Sequence, residues 1–455
     1  MRIFSGLLPA SLLFATTPLL AEQLCPSPPG QPAAYKIGLS QLSITPMNKL
    51  TIAGYGTYYG LPSATRMSHE GTHDPIFAST FWVETDTERA LAIVSLDLVG
   101  ISRPTVLRVE EEVKRTLGRS NVQVILSATH THHAPDVLGL WGALPFFTGR
   151  DEPYMNFLEK SIVASIKSAS DTARCSQVHW AETHKETDWH NYLPAGSEHE
   201  ETITTLSFVD PLTQQSLGTL TQWAAHPTVL EANNNTISSD FPGAFRTAMG
   251  EFRDGIHIYV NGMLGASYIP LKDTDRRPDP FVNGDKDPDV TVGYEQQSFH
   301  GHDLAEKVNQ ALTLAAQPLQ RPGLQWVEHP FQLPVTNARF KLAESLNIVE
   351  GRGISRGYVD TEITLVGLGE LQLATLPGEM FPSGTGQIRG MLKAGARSQD
   401  PVMFLGIGND WLGYLLSPAE YEDDKFSYHK GLSLERNAMD RIVKEYEKIT
   451  AQPQR

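Results

Sequence analysis

The sequence predicts an α/β fold in which β-sheets are flanked by helices, and three observations carry that prediction. Apolar runs rich in β-branched residues recur along the chain. Stretches with the helical repeat of apolar positions stand between them. Several of the apolar runs are nearly continuous rather than alternating, which is the pattern of strands covered on both faces.

Taken in order, the strand-like runs are RALAIVSLDLVG (89–100), NVQVILSATH (121–130), LGTLTQWAAH (217–226), IHIYVNG (256–262), LQLATLPGE (371–379) and VMFLGIGND (402–410). Helical periodicity fits RPTVLRVEEEVKRTLG (103–118), YMNFLEKSIVASIKSA (154–169), LAEKVNQALTLAA (304–316) and SLERNAMDRIVKEYEKI (433–449). The Asp- and Pro-rich stretch 272–297 reads as a solvated loop, and its Asp spacing does not match a calcium-binding EF loop.

The N-terminus bounds the compartment. Arg2 precedes a mostly apolar run from Ile3 to Leu20, broken by Pro9 and Pro18 and followed by Ala21, which reads as a secretory signal peptide over 1–21 and implies an exported protein, periplasmic or secreted. Residues 22–34 are a Pro-rich lead-in. The only two cysteines, Cys25 and Cys175, are compatible with a disulfide in an oxidising compartment or with two unpaired thiols. Neither belongs to a CxxC pair, so a cysteine-ligated metal is excluded. A net charge of −15 argues against nucleic acid as a partner, because phosphates demand basic surface.

The chemistry gathers at strand ends. The run 121–129 leads into His130-Thr131-His132-His133, the run 217–225 into His226, the run 371–378 into Glu379, and the run 402–408 into Asn409, Asp410 and Tyr414. In open α/β sheets, functional groups collect outside the carboxyl ends of strands. In extended chain, His130 and His132 share a face and His133 points elsewhere. Two imidazoles and a carboxylate are a common catalytic zinc set with a position left for water.

An ordered set of motifs carries a specific resemblance. ATHTHHAPD (128–136), KIGLSQLSITP (36–46), AGYG (53–56), THDPIFAST (72–80), AAHPTVL (224–230), ISSDFPG (237–243), LPGEMF (376–381) and NDWLGYLLSPAEYE (409–422) follow one another as they do in the neutral ceramidase family. The last of these resembles the family pattern NxYxxYxTxxEEY. The resemblance spans roughly 36–425, so 35–455 is expected to form one catalytic domain, without the immunoglobulin-like domain that follows it in the family. It implies a zinc-dependent hydrolase that cuts the amide bond of ceramide or a related N-acyl lipid. It further implies zinc on His130, His226, Glu379 and Tyr414, and His132 and Tyr414 beside the reacting carbonyl. Asp97 and Asp240, each at a strand end or turn, are read either as orienting the imidazoles from behind or as capping their turns.

Two departures bear on activity. The family's Gly-Asx-x-Ser-Pro turn corresponds to NGMLGASYIP (261–270), where Tyr268 takes the serine's place and Ser267 lies one residue earlier. No arginine stands in TDWHNYLPAG (187–196), where the family holds substrate with one. The apolar stretch 137–147 follows the histidines, and its Trp141, Phe146 and Phe147 read as the wall of an acyl-chain groove, a lip in transient contact with a membrane surface, or an ordinary packed loop. The readings that compete are an enzyme acting on another amide or ester, and a non-enzymatic, zinc-stabilised binding protein. GISRG (353–357) matches the G-x-S-x-G elbow of serine hydrolases but lacks a strong strand before it.

Overall fold

The computed structural model describes residues 25, 31–55, 68–86, 89–142, 147–185, 191–192, 200–232, 234–268, 290–349, 352, 354–395 and 400–451. The signal-peptide segment, Phe146 and most of 272–297 lie outside these. The helix Val290–Ala315 starts inside that last stretch, earlier than its apolar repeat announces. Among the described residues, no helix is long and apolar enough to cross a membrane.

The elements form where the sequence places them. Helix Arg103–Leu117 turns Val106, Val109 and Val113 inward at helical spacing. It ends at Gly118, whose φ of 63° lets the cap N–H return to Lys114. Helix Glu152–Asp171 starts under Asp151, whose side chain accepts from the Tyr154 N–H. The strands Ala90–Leu96 and Val122–Ala128 are buried at every position, as their unbroken apolar runs predict.

Two sheets pack face to face, each with helices on its outer side. The larger runs in the order Ile256–Asn261, Ser216–Trp223, Thr202–Val209, Arg174–His184, Ala34–Ser43, Phe77–Glu84, Ala90–Leu96, Val122–Ala128. Its pairings are antiparallel except at the two ends of that order. The smaller runs Leu324–Pro334, Tyr358–Leu368, Leu371–Leu376, Val402–Gly406. Phe81, Ile93, Phe208 and Val260 of one sheet share a dry core with Val366, Leu373 and Met403 of the other. Cys25 and Cys175 are joined in a disulfide, with Cα atoms 5.6 Å apart.

Strand twist accumulates across a long sheet, and here it brings the two ends together. Ser95 Oγ donates to Tyr259 O at 2.5 Å, and Asn261 Nδ2 donates to Thr129 O at 2.9 Å. The strand at one end of the pairing order, Val122–Ala128, and the last but one at the other, Ser216–Trp223, therefore deliver His130 and His226 to one place. The second sheet reaches the same place through Ser127 Oγ, which donates to Gly406 O at 2.8 Å.

Candidate metal centre

His130 and His226 follow strands of the larger sheet, and Glu379 and Tyr414 lie just beyond strands of the smaller, in a short pairing of their own. All four are buried. Glu379 Oε2 lies 3.2 Å from His226 Nε2 and 3.3 Å from His130 Nε2. Tyr414 Oη lies 3.5 Å from His226 Nε2. The parallel pairing of Glu379–Met380 with Tyr414–Leu415 sets Glu379 opposite Tyr414.

The imidazole tautomers follow from their partners. His130 Nδ1 lies 2.5 Å from Val99 O, and His226 Nδ1 lies 2.9 Å from Ser267 O. A carbonyl only accepts, so each Nδ1 carries the proton and each Nε2 presents a bare lone pair. Two lone pairs and a carboxylate oxygen then crowd together with no proton of their own to share. A cation between them resolves that conflict. A small tetrahedral cation with bonds of about 2.0–2.2 Å would hold its ligands about 3.3–3.6 Å apart, close to the 3.2, 3.3 and 3.5 Å separations above.

Electrostatics agree with a cation site. Burial lowers the His226 imidazole and outweighs the opposing pull of Glu379, so His226 stays neutral, the form a metal needs.

His130 and His132 do meet, with Nε2 atoms 3.2 Å apart, but not through the extended chain that the spacing suggested. His130 has φ 72°, so a left-handed residue turns the two rings together, a strained conformation of the kind found at functional sites. The His130, His132 and His226 nitrogens also form a set within 4.8 Å of one another. The pair of histidines with Glu379 is tighter and carries the negative charge, which makes it the better cation site. His132 is packed by Tyr55, with ring centroids 4.8 Å apart. Gly54 allows this approach: a Cβ there would lie 2.4 Å from the His132 ring.

Asp97 and Asp240 do not touch the imidazoles, which are oriented by main-chain carbonyls instead. Asp97 receives both guanidinium arms of Arg246, at 2.9 and 2.6 Å. It reaches the site only through Thr129 Oγ1, at 3.3 Å. Asp240 accepts the Phe241 and Leu230 N–H groups at the start of its helix. Ser267 serves the site through its carbonyl; its hydroxyl is buried and has no hydrogen-bond partner among the described residues. Tyr268 pairs by backbone with Asn191.

The stretch after the histidines is wound around Asp136, which accepts from Leu138, Gly139 and Trp141 N–H groups at 2.8–3.0 Å. Trp141 is buried and faces Trp411 at 6.3 Å. The slot that Leu138, Leu140 and Trp411 line has a volume of about 30 Å³, room for one water, so it houses no acyl chain in this conformation. Phe147 is 59% exposed. The GISRG stretch is a single 3-10 turn over Ile354–Arg356 between helix Ala338–Ser345 and strand Tyr358–Leu368. That is the reverse of the strand-then-helix order an elbow requires.

Three contributors went unnoticed in the sequence. Trp411 Nε1 donates to Glu379 Oε1 at 2.8 Å. Asn261 donates to Thr129 O and to Ala225 O, at 2.9 and 2.7 Å, and so ties the residues before both histidines. His429 packs edge-on against Tyr414 at 4.6 Å, and burial pushes its imidazole down to about 3. Trp411 and Asn261 sit inside motifs already in view; His429 carries no local signal.

Residues 35–257 match the family described as neutral/alkaline non-lysosomal ceramidase, N-terminal. The chain is similar to the neutral ceramidases of Drosophila pseudoobscura pseudoobscura and Drosophila melanogaster, each 26% identical over 236 residues. That match covers 46% of this chain and 31% of either relative. Its fold is similar to the crystal structure of neutral ceramidase from Pseudomonas aeruginosa, with a TM-score of 0.73 and 17% identity over 92% of this chain and 74% of that one. A structure titled as ceramidase complexed with C2 gives a TM-score of 0.72 at 18% identity, over 91% of this chain and 74% of that one. The match to the neutral/alkaline non-lysosomal ceramidase family is confined to residues 35–257, just under half of this chain.

Proposed function

We propose that this chain is a zinc-dependent hydrolase that cleaves the amide bond of ceramide or a related N-acyl lipid through a metal-activated water. The observation that carries the proposal is the convergence of His130, His226, Glu379 and Tyr414, from two sheets, at the spacing of zinc ligands. The family resemblance over residues 35–257 supplies the substrate class. His130 and His226 would hold the ion through Nε2, Glu379 through Oε2 and Tyr414 through its phenol oxygen.

Zinc bound there would act as a Lewis acid and lower the pKa of a coordinated water from about 16 to about 7. The residues do the rest. Val99 O and Ser267 O keep both Nε2 lone pairs turned inward. Tyr414 and His132 stand where a donor can meet the oxygen of a carbonyl as it gains charge. Burial of all five side chains keeps bulk water out and strengthens each of these contacts. None of these roles requires a serine nucleophile, so the proposal survives Tyr268 in the serine position.

Export through segment 1–21 belongs to the same proposal, and the Cys25–Cys175 bond is of the kind an oxidising compartment maintains. Exposed Phe147 is the apolar residue that the stretch after the histidines offers to a lipid surface.

The test is zinc analysis of the purified chain, with turnover of a fluorescent N-acyl lipid measured before and after chelation. We expect stoichiometric zinc and activity that disappears with the metal. His226→Ala should lose both together. Turnover that persists after the metal is stripped would sink the proposal. Zinc without turnover on any amide or ester would favour the binding-protein reading, which the altered serine turn and the missing arginine motivate.

A further inference from the structure

We infer that Trp411 is a positioning residue that leaves Glu379 one carboxylate oxygen for the metal. The inference rests on the zinc reading above. The two oxygens of Glu379 are divided between two tasks. Oε2 faces His130 and His226, while Oε1 receives the Trp411 indole N–H at 2.8 Å. Among the described residues, no other donor reaches Oε1.

A carboxylate with both oxygens free can swing about its last bond or take a metal with both. A donor fixed on one oxygen removes that choice. An indole suits this task because it can only donate and never titrates. The bond therefore keeps one direction, and it also satisfies an oxygen that would otherwise be buried without a partner.

The indole is itself held. Trp411 is 5% exposed, and its ring is packed by Trp141 at 6.3 Å and Phe340 at 6.4 Å. A Cβ at Gly100 would lie 3.0 Å from Trp411 Cβ and Cγ. Glu379 N donates to Gly413 O at 2.9 Å and Leu412 N to Pro377 O at 3.0 Å, so the strands that carry the two side chains are fixed to each other. Aligned on the pattern NxYxxYxTxxEEY, Trp411 stands at the first tyrosine.

The test uses the full chain with Trp411→Phe, which removes the donor and keeps a ring, and Trp411→Tyr, which restores one. Zinc dissociation constants are read by competition with a chromophoric chelator, and the visible spectrum of the cobalt-substituted chain reports ligand geometry. Loss of a group that orients a metal ligand commonly weakens metal binding about 10–100-fold. We expect that loss for Phe with an altered cobalt spectrum, and a value within about threefold of native for Tyr. A Phe variant within about threefold of native overturns the inference, as does a Tyr variant as weak as Phe, because shape rather than the donor would then be at work. Should the Phe variant not fold, indole nitrogen labelling of the native chain decides. One of the seven tryptophan N–H signals, absent in Trp411→Tyr, must move when zinc is added, and no movement overturns the inference. A native chain that binds no zinc would fail the earlier proposal instead.

Discussion

The histidine half of the centre and the Glu379–Tyr414 half reach the same point from different sheets, and they are fixed by different kinds of contact. His130 and His226 are held by carbonyls of Val99 and Ser267, and the backbone before each is tied by Asn261. Glu379 and Tyr414 are held by side chains: Trp411 on the carboxylate, and His429 and Phe381 around the phenol. A carbonyl is present whatever the residue, so the first half depends on the path of the chain. The second depends on particular side chains. The family match ends at residue 257, so it covers His130 and His226 but neither Glu379 nor Tyr414.

The comparison makes Asn261 the most exposed point of the histidine half, since one side chain serves both ligands there. Asn261→Ala removes the donor to two buried carbonyls and the acceptor for Ala225 N–H. An unpaired buried group costs about 1–3 kcal/mol, so a loss of at least about 3 kcal/mol is expected, together with weaker zinc binding. Thermal unfolding and zinc competition on the same preparation check this. A variant as stable as native would show that the halves are not held as described.

In the other half, Tyr414→Phe takes away one oxygen and leaves the ring against His429 and Phe381. Removing a donor to a developing oxyanion costs about 10²–10³ in rate. We expect kcat to fall by about 10² while the fold is unchanged and zinc remains on the other three ligands. Complete loss of zinc would instead make the phenol an indispensable ligand.

The two halves were also unequally legible. His130, His132 and His226 stand in short motifs at the ends of strongly apolar strands, and those strands formed close to their expected limits. The carboxylates Asp97 and Asp240 were expected behind the imidazoles because metal-bound histidines often use such partners. In the molecule, carbonyls of nearby turns reach the rings first, and Arg246 claims Asp97. Asn261 lies 132 residues from the Thr129 carbonyl it binds. That contact exists only because the sheet coils until its ends meet, which apolar periodicity does not encode. Periodicity likewise announced covered strands without showing that one sheet would cover the other.

Asp240 gives a pH test of the same half. Burial raises its carboxyl to about 7, against the opposing Phe241 and Leu230 N–H groups, and Asp74 adds to the rise. From about pH 4 to about pH 7 the folded chain keeps a proton that the unfolded chain has released. The stability linked to this group is therefore full below about pH 4 and is lost as pH rises through about 7. Asp240→Asn cannot ionise, and asparagine tolerates the φ of 56° found here. The melting temperature of the metal-free variant should change less across this range than that of the native chain. Parallel curves would place the titration elsewhere.

Ser267 carries the smallest expected effect and the sharpest separation between holding a ligand and taking part in the reaction. Its carbonyl fixes His226, whereas its hydroxyl is buried with no hydrogen bond to lose among the described residues. Ser267→Ala keeps the carbonyl where it is. Zinc affinity should stay within about twofold and stability should hardly move, because deleting an unpaired buried hydroxyl removes a desolvation cost rather than a contact. A clear loss of zinc would mean that the side chain, not the main chain, positions His226, and the contrast between the two halves would fail at its simplest point. Retained zinc with reduced turnover would leave that contrast intact and assign the hydroxyl to substrate.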